Sequence, residues 1–242
     1  MRNCVFAFFA AVFCLVAAEP VLEVTLNEEA FDKIALGGTL GQKMKARALK
    51  QSILAWKEGR LGGNALYFTA ADKATGFGGI SIAKNGALDF TKPFTMCCWI
   101  RPDKKMLRTQ QYTIVGDVRG DRGPGWRCFI SYDAVRLNGG DGKVATGIAT
   151  KPATHPIEKD VWTHVAVTWD GTIARLYMNG SLAAESSIEK KMIMLPGSST
   201  ISIGSYRDGA AYGFLGAIAD LKFFDVALSP KEMMLLAKEI IL

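Results

Sequence analysis

The sequence predicts an all-β chain of many short antiparallel strands, folded as a sandwich or barrel, and three observations carry that expectation. Apolar and polar residues alternate with a period of two, glycine-containing turns recur nearly to the end, and one helical pattern is well marked, close to the C-terminus. The clearest stretch is DVWTHVAVTWDGTIARLYMNGSLAAE, from Asp160 to Glu185. Val165, Val167 and Trp169 alternate with His164, Ala166 and Thr168, and then Ala174, Leu176 and Met178 alternate with Ile173, Arg175 and Tyr177. Alternate side chains of a strand point to opposite faces, so these runs form strands with one aliphatic face buried. Asp170-Gly171 and Asn179-Gly180 supply the positive φ angles of two-residue hairpin turns, which makes the stretch a three-stranded meander. His164 lies inside its first strand and reads as a satisfied sheet histidine. The other histidine, His155, sits in the loop-like KPATHPIE.

Taken in order, the chain opens on MRNCVFAFFAAVFCLVAA, with Arg2 before an apolar run from Val5 to Val16 and small residues before Glu19. This reads as a secretory signal peptide cut after Ala18. The run is short for a membrane span. Phe13 before Cys14 also departs from a lipoprotein signal, which needs a small residue there. The expectation is an exported protein (secreted, periplasmic or cell-surface), with no membrane insertion after cleavage and with residues 19–242 as a single domain. Candidate strands follow at Leu22–Leu26, Ala65–Thr69, Gly79–Ala83, Phe94–Arg101, Tyr112–Gly116, Arg127–Tyr132, Val135–Leu137 and Lys143–Ile148, then in the meander, and finally at Ser199–Ser205 and Gly216–Phe224. Gly41–Trp56 fits either a helix or irregular cover. Ser229-Pro230-Lys231-Glu232 has a capping serine, a proline at the first helical position and a glutamate three residues after the cap. Met233, Leu236, Ala237 and Ile240 then recur at helical spacing, so a short C-terminal helix packs one face on the sheets.

With the signal peptide removed, three of the five cysteines remain: Cys97, Cys98 and Cys128. Neighbouring cysteines rarely bridge each other. A disulfide from Cys98 or Cys97 to Cys128 across paired strands is therefore one expectation, and three buried thiols the other. Cys98 shares a face with Phe94, Met96 and Ile100. No CxxC pair exists, which argues against zinc ribbons and dithiol chemistry. The net charge of +6 falls to +5 without Arg2, and its one local cluster, KMKARALK, lacks aromatic interleaving or any nucleic-acid motif. A solvated face with weak attraction to anionic polymers is the reading, and nucleic acid is not an expected partner.

The meander sequence resembles the central signature of the laminin-G-like domains in the concanavalin A-like lectin and glucanase superfamily. EGRLGGNALYF, LDFTKPFTMCCWIRPD and ISIGSYRDGAAYGFLGAIADLKFFDVALSPKE fall in the order of that family's further blocks. The resemblance implies a jelly-roll sandwich of two curved antiparallel sheets. It also admits a structural calcium ion near the first and closing strands. Here, however, Ala219 stands where many relatives place an aspartate, with Asp220 next, and the first strand offers only Glu23 and the more distant Asp32. The glucanase branch carries closely spaced acidic residues on one strand as nucleophile and general acid, and these have no counterpart here. No GxSxG elbow supports a serine hydrolase.

Function is therefore expected in loops. GDVRGDRGPGW offers Asp117, Arg119, Asp121, Arg122 and Trp126; NGGDGK offers Asn138 and Asp141; SYRDGAAYG offers Tyr206, Arg207, Asp208 and Tyr212. Aromatic rings stack on sugar faces, while Asp, Asn and Arg fix hydroxyls, although glycine turns favour Asp and Asn on their own account. Arg119-Gly120-Asp121 matches an integrin-type tripeptide, a match that chance supplies too often to carry an adhesive role. The leading expectation is a secreted, non-catalytic module that binds carbohydrate or a glycosylated surface. A structural or protein-interaction domain without a sugar site is the second, and an enzyme of unrecognised chemistry the third.

Overall fold

The computed structural model describes residues 18–26, 31, 34–69, 71–72, 76–120, 122–189 and 191–238. The expected signal peptide therefore lies outside the described residues except for Ala18. In chain order the strands are β1 (Leu22–Thr25), β2 (Ala35–Gly37), β3 (Lys45–Leu49), β4 (Leu54–Glu58), β5 (Asn64–Phe68), β6 (Ala71–Asp72), β7 (Gly76–Phe77), β8 (Gly79–Ala83) and β9 (Phe94–Pro102). They continue as β10 (Tyr112–Gly116), β11 (Gly125–Ser131), β12 (Ala134–Gly140), β13 (Ala145–Ala149), β14 (Thr163–Trp169), β15 (Ala174–Met178), β16 (Ser181–Glu185), β17 (Thr200–Ile203) and β18 (Gly216–Phe224), followed by the helix α1 (Pro230–Lys238).

Two antiparallel sheets form a jelly-roll sandwich. The first runs β16-β15-β14-β9-β18-β1-β2, with β5 also on β18 and β4 on β5. The second runs β13-β12-β11-β10-β17-β8-β3. Period-two alternation fills the space between them. Phe94, Met96, Cys98 and Ile100 of β9 and Val165, Val167 and Trp169 of β14 meet Trp126, Cys128 and Ile130 of β11 and Ile201 and Ile203 of β17 in one buried cluster. Each such side chain taken from water stabilises the fold by roughly 1.5–3 kcal/mol.

Local chemistry sets the connections. Asn179 and Gly180 both have positive φ, at 49° and 80°, and join β15 to β16 directly. The Asp170-Gly171 connection is longer than a two-residue turn. Trp169 pairs with Ala174, and the Asp170 carboxylate closes the loop by accepting the Thr172 and Ile173 amides at 2.9 and 2.7 Å. The ambiguous Gly41–Trp56 segment contains two strands, β3 and β4, and two short 3-10 turns. β3 is an edge strand, and its exposed Lys45 and Arg47 discourage edge-to-edge pairing with another chain. The basic cluster is thus a solvated edge.

At α1, Ser229 and Glu232 form a reciprocal capping box, with the Ser229 amide donating to the Glu232 carboxylate at 2.7 Å. Met233 is fully buried with Cys97, Ala166, Tyr177, Phe224 and Leu228, so the helix covers part of the outer face of the first sheet. Ile240 lies outside the described residues.

The expected disulfide is not formed: Cys97, Cys98 and Cys128 are free and buried. The strands that carry them are not paired, since β9 is in the first sheet and β11 in the second. Cys97 points to the outer side of its sheet, while Cys98 and Cys128 face the interior from opposite layers. Burial raises the Cys98 thiol well above its ordinary value and pushes Cys128 up to about 12.

Candidate functional site

The alternation that turns Trp126, Cys128 and Ile130 inward turns Arg127 and Phe129 to the outer face of the second sheet. Arg127 is only 8% exposed there. Its guanidinium lies 3.9 Å from the Phe129 ring centre, 4.9 Å from that of Tyr206 and 5.1 Å from that of Tyr212, and it donates to the Gln111 side-chain oxygen. Above it opens a cleft of about 170 Å³, lined among others by Gln111, Arg122, Arg127, Asn138, Tyr206 and Tyr212.

The walls are loops pinned by hydrogen bonds. The Tyr206–Tyr212 loop closes on itself through Tyr206 N–H to Ala211 C=O at 2.9 Å and is tied to β10 by Thr113 N–H to Tyr212 C=O at 2.8 Å. Asp208 fastens it from behind, accepting the Thr200 and Ser202 hydroxyls at 2.9 Å each. Tyr206 packs edge-on against Tyr212 at 5.4 Å and donates its hydroxyl to the Gly120 carbonyl at 2.8 Å, which links this loop to the one before β11. That loop abuts the β12–β13 turn so closely that a Cβ on Gly123 would lie 2.7 Å from the Gly140 carbonyl carbon. Arg122 reaches across to the Lys143 carbonyl at 3.2 Å. The described lining holds two guanidinium groups, Arg122 and Arg127, which contribute positive potential to the cleft.

The structure brings together only some of the residues expected from sequence. Asn138, Tyr206 and Tyr212 line the cleft, and Tyr212 is the exposed ring, at 42%. Arg207 is exposed beside the Tyr206 ring, and Asp208 holds the loop without facing the cleft. Asp141 shapes its turn, accepting the Lys143 and Val144 amides at 2.8 and 2.7 Å, and these bonds hold its carboxyl below the ordinary value. Arg119 donates to the Gly197 carbonyl at 3.0 Å. Asp121 lies outside the described residues.

Two of the expected residues belong to the interior. Trp126 is 1% exposed and packs against Phe90 and Phe94, so it offers no ring to a ligand. Asp117 is 2% exposed, bound to Lys84 and to the Trp126 amide, and burial pushes its carboxyl upward against the pull of Lys84. Arg127, the centre of the cleft, was missed in the loop-based reading. The alternation of GWRCFIS carries the signal for it. A polar side chain flanked by core residues at 126 and 128 must face outward.

Among the described residues, the carboxylates expected near a calcium ion are engaged with cations. Asp220 is 3.6 Å from Arg60, and Glu23 is 3.9 Å from Lys222, so each carboxylate already faces a cation, and Asp32 lies outside the described residues. Among the described residues no three His, Cys, Asp or Glu side chains gather to hold a metal ion.

A laminin G model described as the concanavalin A-like lectin/glucanases superfamily matches residues 74–234. The sushi, von Willebrand factor type A, EGF and pentraxin domain-containing protein 1 of Mus musculus is 29% identical over 89 residues, which is 34% of this chain and 2% of that protein. Among solved structures, the botulinum neurotoxin serotype D binding domain is 18% identical with a TM-score of 0.66, covering 92% of this chain and 52% of that one. The serotype D ligand binding domain in complex with N-acetylneuraminic acid gives 18% and 0.65, covering 90% and 50%. The serotype G binding domain gives 16% and 0.67, covering 90% and 50%. The chain thus spans about half of those binding domains and a small fraction of the curated relative, and at such identities the structural likeness is one of fold.

Proposed function

This chain belongs to the concanavalin A-like lectin/glucanases superfamily, and from that premise we propose that residues 19–242 form an exported, non-catalytic module that binds carbohydrate on a glycosylated surface. One observation carries the reading: Tyr212, Asn138, Gln111 and Arg127 converge on a single cleft. The exposed Tyr212 ring gives a sugar an apolar face, and the Asn138 and Gln111 carboxamides address its hydroxyls. Arg127 and Arg122 favour a carboxylate- or sulfate-bearing sugar over a neutral one. The laminin G match and the binding domains of similar fold support binding without cleavage. Among the described residues no helix is long and apolar enough to cross a membrane. A neighbour of the same fold that carries N-acetylneuraminic acid supports a sugar as the kind of ligand.

The test is a glycan array followed by calorimetric titration of the best binder. Acidic glycans should lead, and Tyr212→Ala and Asn138→Ala should each weaken binding about tenfold, or 1.4 kcal/mol, with unchanged melting temperature. An array with no binder, or a binder indifferent to both substitutions, would sink the proposal.

A further inference from the structure

The outer face of the first sheet carries a second cavity, of about 220 Å³, on the opposite side of the sandwich from the cleft above β11. His164 of β14 and Trp99 of β9 are register partners on its wall, with ring centres 5.3 Å apart. The His164 backbone is satisfied by Asn179 in both directions, at 2.9 Å each. Its imidazole is different: the residue is 2% exposed and lines the cavity, yet Nδ1 has no hydrogen-bond partner. A buried polar atom left without a partner is unfavourable and is retained where something else compensates.

A second irregularity stands beside it. Asp220 has a φ of 51° in the middle of β18, where the register against β9 slips between Ala219 and Lys222. Such a bulge re-aims a side chain, and a non-glycine residue in this conformation is strained. The re-aimed Asp220 carboxylate lies at the cavity, 3.6 Å from Arg60, whose guanidinium sits 4.1 Å over the Trp99 ring. Lys222 and Glu23 add a further opposed pair at 3.9 Å, and Asn64 adds a carboxamide.

The charges decide what this cavity accepts. A simple anion would meet Asp220 and Glu23, and a simple cation would meet Arg60 and Lys222. A hydroxyl group both donates and accepts, so adjacent hydroxyls can bridge a carboxylate and its neighbouring cation at once. We propose that this cavity binds a small neutral polyhydroxylated molecule, a single sugar ring, with His164 at its back and the Asp220–Arg60 pair at its mouth. The volume falls below the ~300–1,000 Å³ of sites for drug-sized ligands, which suits one ring and not an extended chain. The site is distinct from the cleft above β11, and the described linings differ in charge: Arg122 and Arg127 in one, the opposed Asp220–Arg60 and Glu23–Lys222 pairs in the other.

The experiment follows the two histidine side chains of the protein by NMR, with His155→Asn to assign them, while methyl mannoside, methyl galactoside or N-acetylglucosamine is added to about 50 mM, a range that reaches millimolar affinities. At least one sugar should shift the His164 imidazole saturably and leave His155 in place. Asp220→Asn removes the charge while asparagine tolerates positive φ, and it should weaken that response about tenfold, as should Glu23→Gln. Tyr212→Ala and Arg122→Ala, which disable the other cleft, should not change it. The proposal is overturned if none of the three sugars shifts His164, if sodium sulfate alone reproduces the shift, or if the response survives both Asp220→Asn and Glu23→Gln intact. Loss of acidic-glycan binding in the Tyr212 variant would leave this result untouched, so the two sites stand or fall separately.

Discussion

Lys84 Nζ lies 2.8 Å from the Asp117 carboxylate at the inner edge of the loop that walls the cleft, with both side chains almost wholly removed from water. The same carboxylate accepts the Trp126 amide at 3.0 Å, so one pair fixes where β11 begins. Asp117→Ala would leave the Lys84 ammonium buried without its counter-ion, an outcome that typically destabilises by about 3–5 kcal/mol. Chemical denaturation should show that loss with or without glycan present. A mutant with full stability and lost binding would instead make Asp117 a ligand contact.

Burial, helped by the nearby Arg60 and Lys222 charges, holds the His164 imidazole down at about 4. Its ordinary value is 6.5, so between these two pH values the unfolded chain takes up a proton that the folded chain refuses. Stability should therefore fall as pH drops from about 6.5 toward 4, by on the order of 3 kcal/mol, and stay level with respect to this group above and below. Urea titrations across that window, compared with His164→Gln, read the effect directly. The glutamine variant should lose this part of the slope.

The two turn glycines of the meander are not equivalent. Gly171 has a φ of 95° with open space around its Cα, so Gly171→Val meets backbone strain alone, about 1–3 kcal/mol. Gly180 has a φ of 80°, and a Cβ there would lie 2.8 Å from the Met234 Cα of α1. Gly180→Val must also push the helix from the sheet. Its melting temperature should drop further than that of Gly171→Val, and the reverse order would contradict this packing.

Contact between loops makes Gly123 a sensitive position for the shape of the cleft proposed to bind glycan. Its φ is 81° and its Cα faces the Gly140 backbone, so Gly123→Ala forces the loop before β11 away from the β12–β13 turn. Overpacking of this kind costs about 1–3 kcal/mol. Glycan affinity should fall along with stability, whereas Asp141→Ala in the same turn should affect affinity much less.

The thiols give a prediction independent of any ligand. With Cys97, Cys98 and Cys128 buried and Cys128 held up to about 12, an alkylating reagent at neutral pH should leave them unmodified in the folded protein. All three should react after denaturation without reductant, and only one reacting would indicate a disulfide.

Alternation and turn chemistry made most of the frame legible. The inward faces of β9, β14 and β15 follow directly from period two, and the capping box marked the start of α1. The site was less legible, for identifiable reasons. Trp126 and Asp117 carry side chains suited to a sugar, but strand parity sends Trp126 inward, and Lys84, distant in sequence, claims Asp117. Arg127 was readable from parity, whereas its placement under Tyr206 and Tyr212 depends on a loop that begins some eighty residues later in the chain. The positive φ of Asp220 coincides with a register shift against β9, which IADLKFF signals locally only by an aspartate, a residue type tolerant of positive φ.

β18, the last strand, is also the innermost of its sheet: it pairs with β9 on one side and with both β1 and β5 on the other. The first sheet therefore cannot close until Leu22 has met Phe223, and contacts of such long sequence separation form slowly.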